Sequence, residues 1–364
     1  MSSHIPQTRE DVLAAIANRE FLEDLTLNGI DLSGADLSGG WFERVSLRHA
    51  SLRGARIERT AFRECDLAGA DLSDIRLEGA ALQNMQLKGA LLHNCHFERV
   101  AFQDCDLAGA DLSGSRLHYC TVQDCTLEGA CLAGADCLRS SFVKCQAGAN
   151  FDQCDLSHAV FVDCDFAGVV LKGARLNRTA LLSARLDGHD FSGMDLSYVQ
   201  FSFASLKGCN FQKTHLTGVG FLKCDLTGCD FSEARSEQCL FREARLAGAR
   251  LCHGRFACGM FLQAHLEQAD LSFADFSDAL CEGASFRHCQ AQGARFFRAD
   301  LSHADLSHGF FANADFSSAN LHRVRREEAF MDRALLAGSR GTDPQRARSE
   351  DWLLQHRVHP DRDL

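Results

Sequence analysis

The sequence predicts an all-β solenoid with four sides, and two observations carry that prediction. A large apolar residue, most often leucine or phenylalanine, recurs with a period of five from Leu27 to Leu321, at all but five of 60 positions (Cys137, Ala147, Ser236, Cys281 and Ala291). A period of five fits neither an α-helix nor a simple strand, so it indicates a repeat architecture. Glycine recurs at the same corner position in every fourth repeat, as at Gly69, Gly89 and Gly109, so four repeats make one turn of the solenoid.

Each five-residue repeat is predicted to consist of one short strand and one corner. A small residue lies two positions before each large one, as in the segment ADLSG at 35–39. Residues two apart in a strand point to the same side, so both point inward and the residue between them points outward. The two remaining residues are rich in glycine, serine and charge, which is typical of corners. A single one-residue skip between Phe142 and Phe151 shortens one turn.

The repeat resembles that of the pentapeptide repeat proteins, whose motif is A(D/N)LXX. The resemblance covers residues 27–321 and includes the segments ADLSD at 70–74 and ADLSG at 110–114. It implies a right-handed quadrilateral β-helix; the periodicity alone does not give the handedness. The 60 repeats on four sides predict about 15 coils.

Three segments are predicted along the chain: an N-terminal helical cap at 1–26, the β-helix at 27–321, and a C-terminal helical segment at 322–364. Thr8 followed by Asp11 is typical of a helix start. Apolar residues at helical spacing predict a helix from about 326 to 337, ended by Gly338. Asp343 followed by Pro344 predicts the start of another helix.

The C-terminal segment has two interpretations. It caps the open end of the solenoid, or it contacts a second copy or another protein, because one helix suffices to close a coil. The candidate residues for that contact are Phe330, Met331, Leu335, Trp352 and Leu353.

The 18 cysteines have a pattern that argues against a disulfide or metal framework. Thirteen of them occupy the small inward position, where cysteine acts as a compact apolar residue. We therefore expect reduced cysteines and a cytoplasmic setting. The N-terminus shows no signal sequence and no run is long enough to span a membrane. Export by a signal-independent secretion system is left open.

No catalytic, phosphate-binding or zinc-binding motif is found, so the sequence predicts a protein that is not an enzyme and has no cofactor. His288 and His308 are four repeats apart and should stack at one corner, but no third ligand joins them. The prediction is therefore that no metal binds.

One side of the solenoid breaks the rule that outward residues are polar. We call it the phenylalanine side because its inward column is largely phenylalanine, as at Phe42, Phe62 and Phe102. An apolar stripe on this side would exceed what monomers normally expose, so a terminal helix or a partner should cover it. The candidate stripe residues are Trp41, Val160, Val162, Leu182, Phe203, Leu222, Leu240, Met260, Leu262 and Leu280.

These features predict a scaffold or adaptor that binds other proteins. The C-terminal sequences at 319–330 and 341–352 resemble the endings of pentapeptide proteins associated with type VI secretion effector clusters. That resemblance implies an adaptor for effector loading, with a secretion effector or its chaperone as partner. The alternative is a DNA mimic that binds DNA gyrase or topoisomerase and protects it from quinolones or toxins. A homodimer is left open, and neither nucleic-acid binding nor membrane binding is expected.

Overall fold

The fold is a β-solenoid in which the chain returns to the same side after every four repeats, and the predicted fold class is confirmed. The computed structural model describes residues 6–146 and 148–356. Their contacts divide the chain into two units. The first unit comprises 1–187 and 195–205, and the second comprises 188–194 and 206–364.

The first unit begins with helix α1, Arg9–Ala17, and continues with twelve three-residue strands. Nine of them form one parallel sheet on the phenylalanine side, in the order β1-β2-β3-β5-β7-β9-β10-β11-β12, and β4-β6-β8 form a second sheet. The strands are β1 Phe21–Glu23, β2 Trp41–Glu43, β3 Ala61–Arg63, β4 Arg76–Glu78, β5 Ala81–Gln83, β6 His96–Glu98, β7 Ala101–Gln103, β8 Arg116–His118, β9 Thr121–Gln123, β10 Ser141–Val143, β11 Val160–Val162 and β12 Ala180–Leu182.

The strand register confirms the predicted repeat and its skip. Phe42 pairs with Phe62, which is the inward residue four repeats later. Phe142 pairs with Phe161, which lies one position short of that spacing, so one residue is missing from that turn. Ala147, predicted to be an inward residue, lies outside the described residues.

Each corner is a tight turn. It is stabilised by the outward aspartate of the preceding strand and by the conformation of the second corner residue. The Oδ1 atom of Asp71 accepts a hydrogen bond from the backbone N–H of Ser73 at 2.9 Å. The second corner residue takes a left-handed conformation, with φ of 65° at Gly109 and 53° at Asp104. Glycine adopts this conformation without steric cost, which explains its recurrence at this position. Aspartate and asparagine tolerate it better than most other residues.

The second unit is held by backbone bridges between successive coils and by a continuous aromatic core. Phe241 stacks on Phe221 and Phe261, with ring centroids 4.9 and 4.7 Å apart. All three side chains are fully buried. Burial of stacked aromatic rings and pairing of backbone groups therefore act together on each coil.

The thirteen cysteines predicted to point inward are all buried, and none of them forms a disulfide. Burial raises the pKa of Cys95 to about 12, so its thiol stays protonated at neutral pH. Cys258 is the exposed cysteine of the described residues.

Helix α1 is present near the predicted start and packs against β1. The Thr8 side chain accepts a hydrogen bond from the Asp11 N–H at 3.2 Å, and the Asp11 side chain accepts from the Thr8 N–H. Val12 is fully buried, and the first inward residues Leu22 and Leu27 are buried beneath it. Residues 1–5 of the predicted cap lie outside the described part of the chain.

The helix predicted at 326–337 is wrong, because the ladder continues through this segment to Arg340. The Phe330 N–H donates to the Gly309 carbonyl at 2.9 Å, as in every earlier coil. The apolar residues at 330, 331, 334 and 335 fit one face of a helix, but in the structure only Met331 and Ala334 take inward positions of the five-residue repeat. The previous coil offers an open edge of hydrogen-bonding groups, and pairing with this edge makes the segment a further coil rather than a helix.

The ladder also starts earlier than Leu27, at Phe21, so the predicted coil number differs from the structure.

The second predicted C-terminal helix is present as α2, Pro344–Gln355. Asp343 is its N-cap and accepts hydrogen bonds from the N–H groups of Gln345 and Arg346. Residues 357–364 of the predicted helical segment lie outside the described residues.

Candidate interaction surfaces

The second unit carries the larger apolar surface of the phenylalanine side. Leu240, Met260 and Leu280 are bridged to one another on successive coils. Leu240 and Leu280 keep 38% and 43% of their surface exposed, and Met260 is half-buried. Leu222 and Leu262 lie half-buried at the neighbouring corner. The structure therefore brings these five predicted stripe residues onto one side of the second unit.

The five stripe residues of the first unit are more scattered. Val160 and Val162 lie on β11, Leu182 lies on the adjacent β12, and all three are half-buried. Trp41 is exposed on β2 and meets the ring of Phe21 edge-on, with centroids 5.5 Å apart. Phe203 is exposed at a corner. Phe21 is more exposed than Trp41 and was missed, because the predicted repeat began only at Leu27.

The predicted C-terminal contact residues separate into two groups. Phe330, Met331 and Leu335 lie on the last coil, where Phe330 stacks on Phe310 with centroids 5.0 Å apart. Trp352 and Leu353 lie on α2 and remain 58% and 59% exposed. A cavity of about 280 Å³ at the last coil is lined by Leu306, Leu321, Val324, Arg326, Met331, Leu336, Ser339, Gly341 and Thr342.

Helix α2 is attached to the second unit through charged and polar side chains. Glu350 accepts hydrogen bonds from His322 at 3.1 Å and from His303 at 3.3 Å, and it pairs with Arg323 at 3.1 Å. Arg323 also donates to the Ala347 carbonyl at 2.6 Å. The hydrogen bond from His322 lowers the pKa of Glu350 to about 2. No signal in the sequence indicated this cluster, because Glu350 and His322 are 28 residues apart.

The cluster of His303, His322 and Glu350 has the residue types of a metal site, with ligand atoms within 4.8 Å of one another. Its hydrogen bonds argue against that role. The Nδ1 atom of His322 accepts a hydrogen bond from the Asp343 N–H at 3.1 Å. A neutral imidazole then carries its proton on Nε2, which donates to Glu350 and has no lone pair for a metal. We therefore interpret the cluster as the attachment of α2.

The predicted stack of His288 and His308 is present, with ring centroids 4.8 Å apart and nearly parallel planes. His308 also pairs with Glu328 at 3.0 Å. Among the described residues, no helix has the length and apolar character needed to cross a bilayer.

A four-sided β-solenoid with apolar outward residues and charged corners defines a class of repeat protein whose coils form a scaffold. Family models for "Pentapeptide repeat region" match residues 55–132 and 135–211, and models for "Pentapeptide repeats (8 copies)" match 30–69, 221–256, 264–302 and 294–325. This chain belongs to the pentapeptide repeat family.

Similar solved structures include HetL, a pentapeptide repeat protein involved in heterocyst differentiation regulation from the cyanobacterium Nostoc sp. strain PCC 7120. It is 21% identical, with 92% of this chain and 97% of HetL covered and a TM-score of 0.21. QnrB1, a plasmid-mediated fluoroquinolone resistance protein, is 22% identical, with 70% of this chain and 97% of QnrB1 covered and a TM-score of 0.25. At this level of similarity neither neighbour assigns a function. No curated protein sequence matches the chain significantly.

Proposed function

We propose that this protein is a non-enzymatic scaffold that binds another protein through the apolar part of the phenylalanine side. The observation that carries the proposal is the column of Leu240, Met260 and Leu280 in the second unit, in which both leucines are exposed and the methionine is half-buried. Contiguous exposed apolar surface on a soluble protein is typical of a protein-binding site. Pentapeptide repeat proteins are in general non-enzymatic structural or interaction proteins, which supports this proposal.

The specific form of the proposal is an adaptor for the loading of type VI secretion effectors. The resemblance of residues 319–330 and 341–352 to the endings of proteins from such effector clusters supports it. The partner would then be a secretion effector or its chaperone. A cytoplasmic location belongs to the same proposal, and free cysteines are consistent with a reducing compartment.

The test is affinity purification from the native host followed by mass spectrometry, using the wild type and two variants. Leu240→Asp with Met260→Asp places two carboxylates in the apolar column. The matched control is Asn210→Asp with Gln290→Asp, which adds the same charge on the opposite side of the coils in the second unit. We expect the first variant to lose the partner, the control to retain it, and both to keep a cooperative thermal transition. Partner capture by the first variant at the wild-type level would overturn the proposal.

A second candidate is a DNA mimic that binds gyrase. The observation that favours it is a column of acidic corner residues, Asp104, Asp124 and Asp163, which imitates the regular charge of a phosphate backbone. Lys144 interrupts this column, so the proposal is less well supported than the scaffold. Gyrase supercoiling that proceeds unimpaired in an excess of the protein would eliminate it.

A further inference from the structure

We propose that the phenylalanine side of the first unit binds a second copy of the chain, face to face. The inference deepens the proposed scaffold function by naming one of its partners, and it rests on different residues from those of the apolar column. Each strand of this side from β5 onward has two outward residues, and none of them is charged. The first outward residues are small or β-branched: Ala81, Ala101, Thr121, Ser141, Val160 and Ala180. The second outward residues are Gln83, Gln103, Gln123, Val143, Val162 and Leu182.

A row of basic and aromatic residues lines the corner that precedes these strands, and we call it the basic corner. The Arg139 guanidinium lies 5.8 Å from the centroid of the Tyr119 ring and donates to the tyrosine oxygen at 3.2 Å. Arg178 lies 5.4 Å from the centroid of the Tyr198 ring. Within residues 6–146 and 148–356, Arg139 and Arg178 have no carboxylate at ion-pair distance. The basic corner comprises Arg99, Tyr119, Arg139, His158, Arg178 and Tyr198, all exposed.

Arg99 is the member of the basic corner whose charge is already offset. It pairs with Glu98 at 3.2 Å and with Glu78 at 3.5 Å. The positive charge is therefore concentrated on the later coils, at Arg139 and Arg178.

The corner that follows the same strands has the opposite charge, and we call it the acidic corner. It comprises Asp104, Asp124, Lys144 and Asp163, which lie on successive coils and are exposed. Asp124 accepts a hydrogen bond from Gln123 at 3.0 Å. Among the described residues, Asp104 and Asp163 have no cationic partner, and Lys144 is the single cation of the row. The acidic corner therefore has a net negative charge, and the basic corner has a net positive charge.

The charges select one arrangement of two copies. A two-fold axis parallel to the stacking direction of the coils places the basic corner of each copy against the acidic corner of the other. A two-fold axis perpendicular to that direction places each corner against its own equivalent, which is repulsive. In the favourable arrangement, His158 faces Asp163 of the second copy at the same coil. Arg139 faces Lys144 of the second copy at its own coil. Asp124 and Asp163 of the second copy lie one coil before and one coil after that position.

The same pattern disfavours other partners. An anionic polymer would pair with the basic corner but would be repelled by the acidic corner, which lies across three-residue strands. A second copy satisfies both corners with the same surface, which is the requirement of an isologous interface.

The test is sedimentation velocity of the full chain over a concentration series, with charge reversals on each corner. The basic-corner variant is Arg139→Glu with Arg178→Glu, and the acidic-corner variant is Asp124→Lys with Asp163→Lys. We expect dimerisation of the wild type and at least about 10-fold weaker dimerisation of each variant. The four changes combined should restore the wild-type value, because the opposite charges again face each other.

The matched control is Lys88→Glu with Lys172→Glu, which lies at corners of the opposite side of the same unit and should leave dimerisation unchanged. A wild type that stays monomeric across the concentration series would overturn the inference. Failure of the quadruple variant to restore a dimer would also overturn it. Both results leave partner capture through Leu240 untouched, so they are distinguishable from failure of the proposed function.

Discussion

The phenylalanine side has the same interior in both units and a different exterior. Phe102 and Phe142 in the first unit are buried as completely as Phe221 and Phe241 in the second. The outward residues differ at the first outward position of each side. There the first unit presents mainly alanine, threonine and serine between charged corners, whereas the second presents Leu240, Met260 and Leu280. The inward column therefore determines the fold, and the outward column determines what the surface can bind. The proposed partners follow this difference: a second copy for the first unit and another protein for the second.

The largest expected effect is a difference in the free energy of unfolding between an interior and an exterior substitution. Phe241→Ala removes a fully buried ring that stacks on two others, so it should lower the free energy of unfolding by about 3–5 kcal/mol. Leu240→Ala, one residue earlier on the exterior, should cost less than about 1 kcal/mol. Urea denaturation measures both values. Equal losses for the two variants would contradict the assignment of interior and exterior.

The apolar column of the second unit and the charged corners of the first unit should act independently of each other. Leu240→Asp with Met260→Asp should abolish partner capture and leave self-association at the wild-type level. Arg139→Glu with Arg178→Glu should do the reverse, because these residues belong to the first unit. Sedimentation velocity and affinity purification on both variants form the comparison. Loss of both activities in either variant would show that the two surfaces act as one.

The smallest effect concerns α2, which lies on the second unit near the corner that follows its phenylalanine side. The pKa of Glu350 is lowered to about 2, so its contribution to docking of α2 is complete above its ordinary pKa near 4.5. That contribution is lost as the pH falls through about 2. Glu350→Gln should therefore increase hydrogen exchange within residues 344–355 at pH 7. It should also remove most of the effect of acid on the docking of α2. Partner capture through Leu240 should not change, and its loss would mean that α2 forms part of the binding surface.

Features that repeat along the chain or have a local sequence signal could be predicted, and features that depend on contacts between distant residues could not. The five-residue period gave the fold class, and the cysteines at inward positions are buried as expected. Local signals also predicted both helices, through Thr8 with Asp11 and through Asp343 with Pro344.

Residues 326–337 were misassigned because their apolar spacing fits one face of a helix, whereas their pairing with the neighbouring coil is visible only in the fold. The attachment of α2 through Glu350 and His322 depends on residues that only the fold brings together. The role of the apolar stripe stays a prediction.

Disulfide cross-linking in the first unit tests most directly whether the phenylalanine side is an interaction surface. The variant carries Ala101→Cys and Gln103→Cys, with Cys258→Ser to remove the exposed native thiol. In the proposed dimer, residue 101 of one copy opposes residue 103 of the other. Mild oxidation should therefore give a covalent dimer whose cross-link joins residues 101 and 103, identified by mass spectrometry. A covalent dimer linked mainly through 101 to 101, or no covalent dimer at all, would contradict the claim.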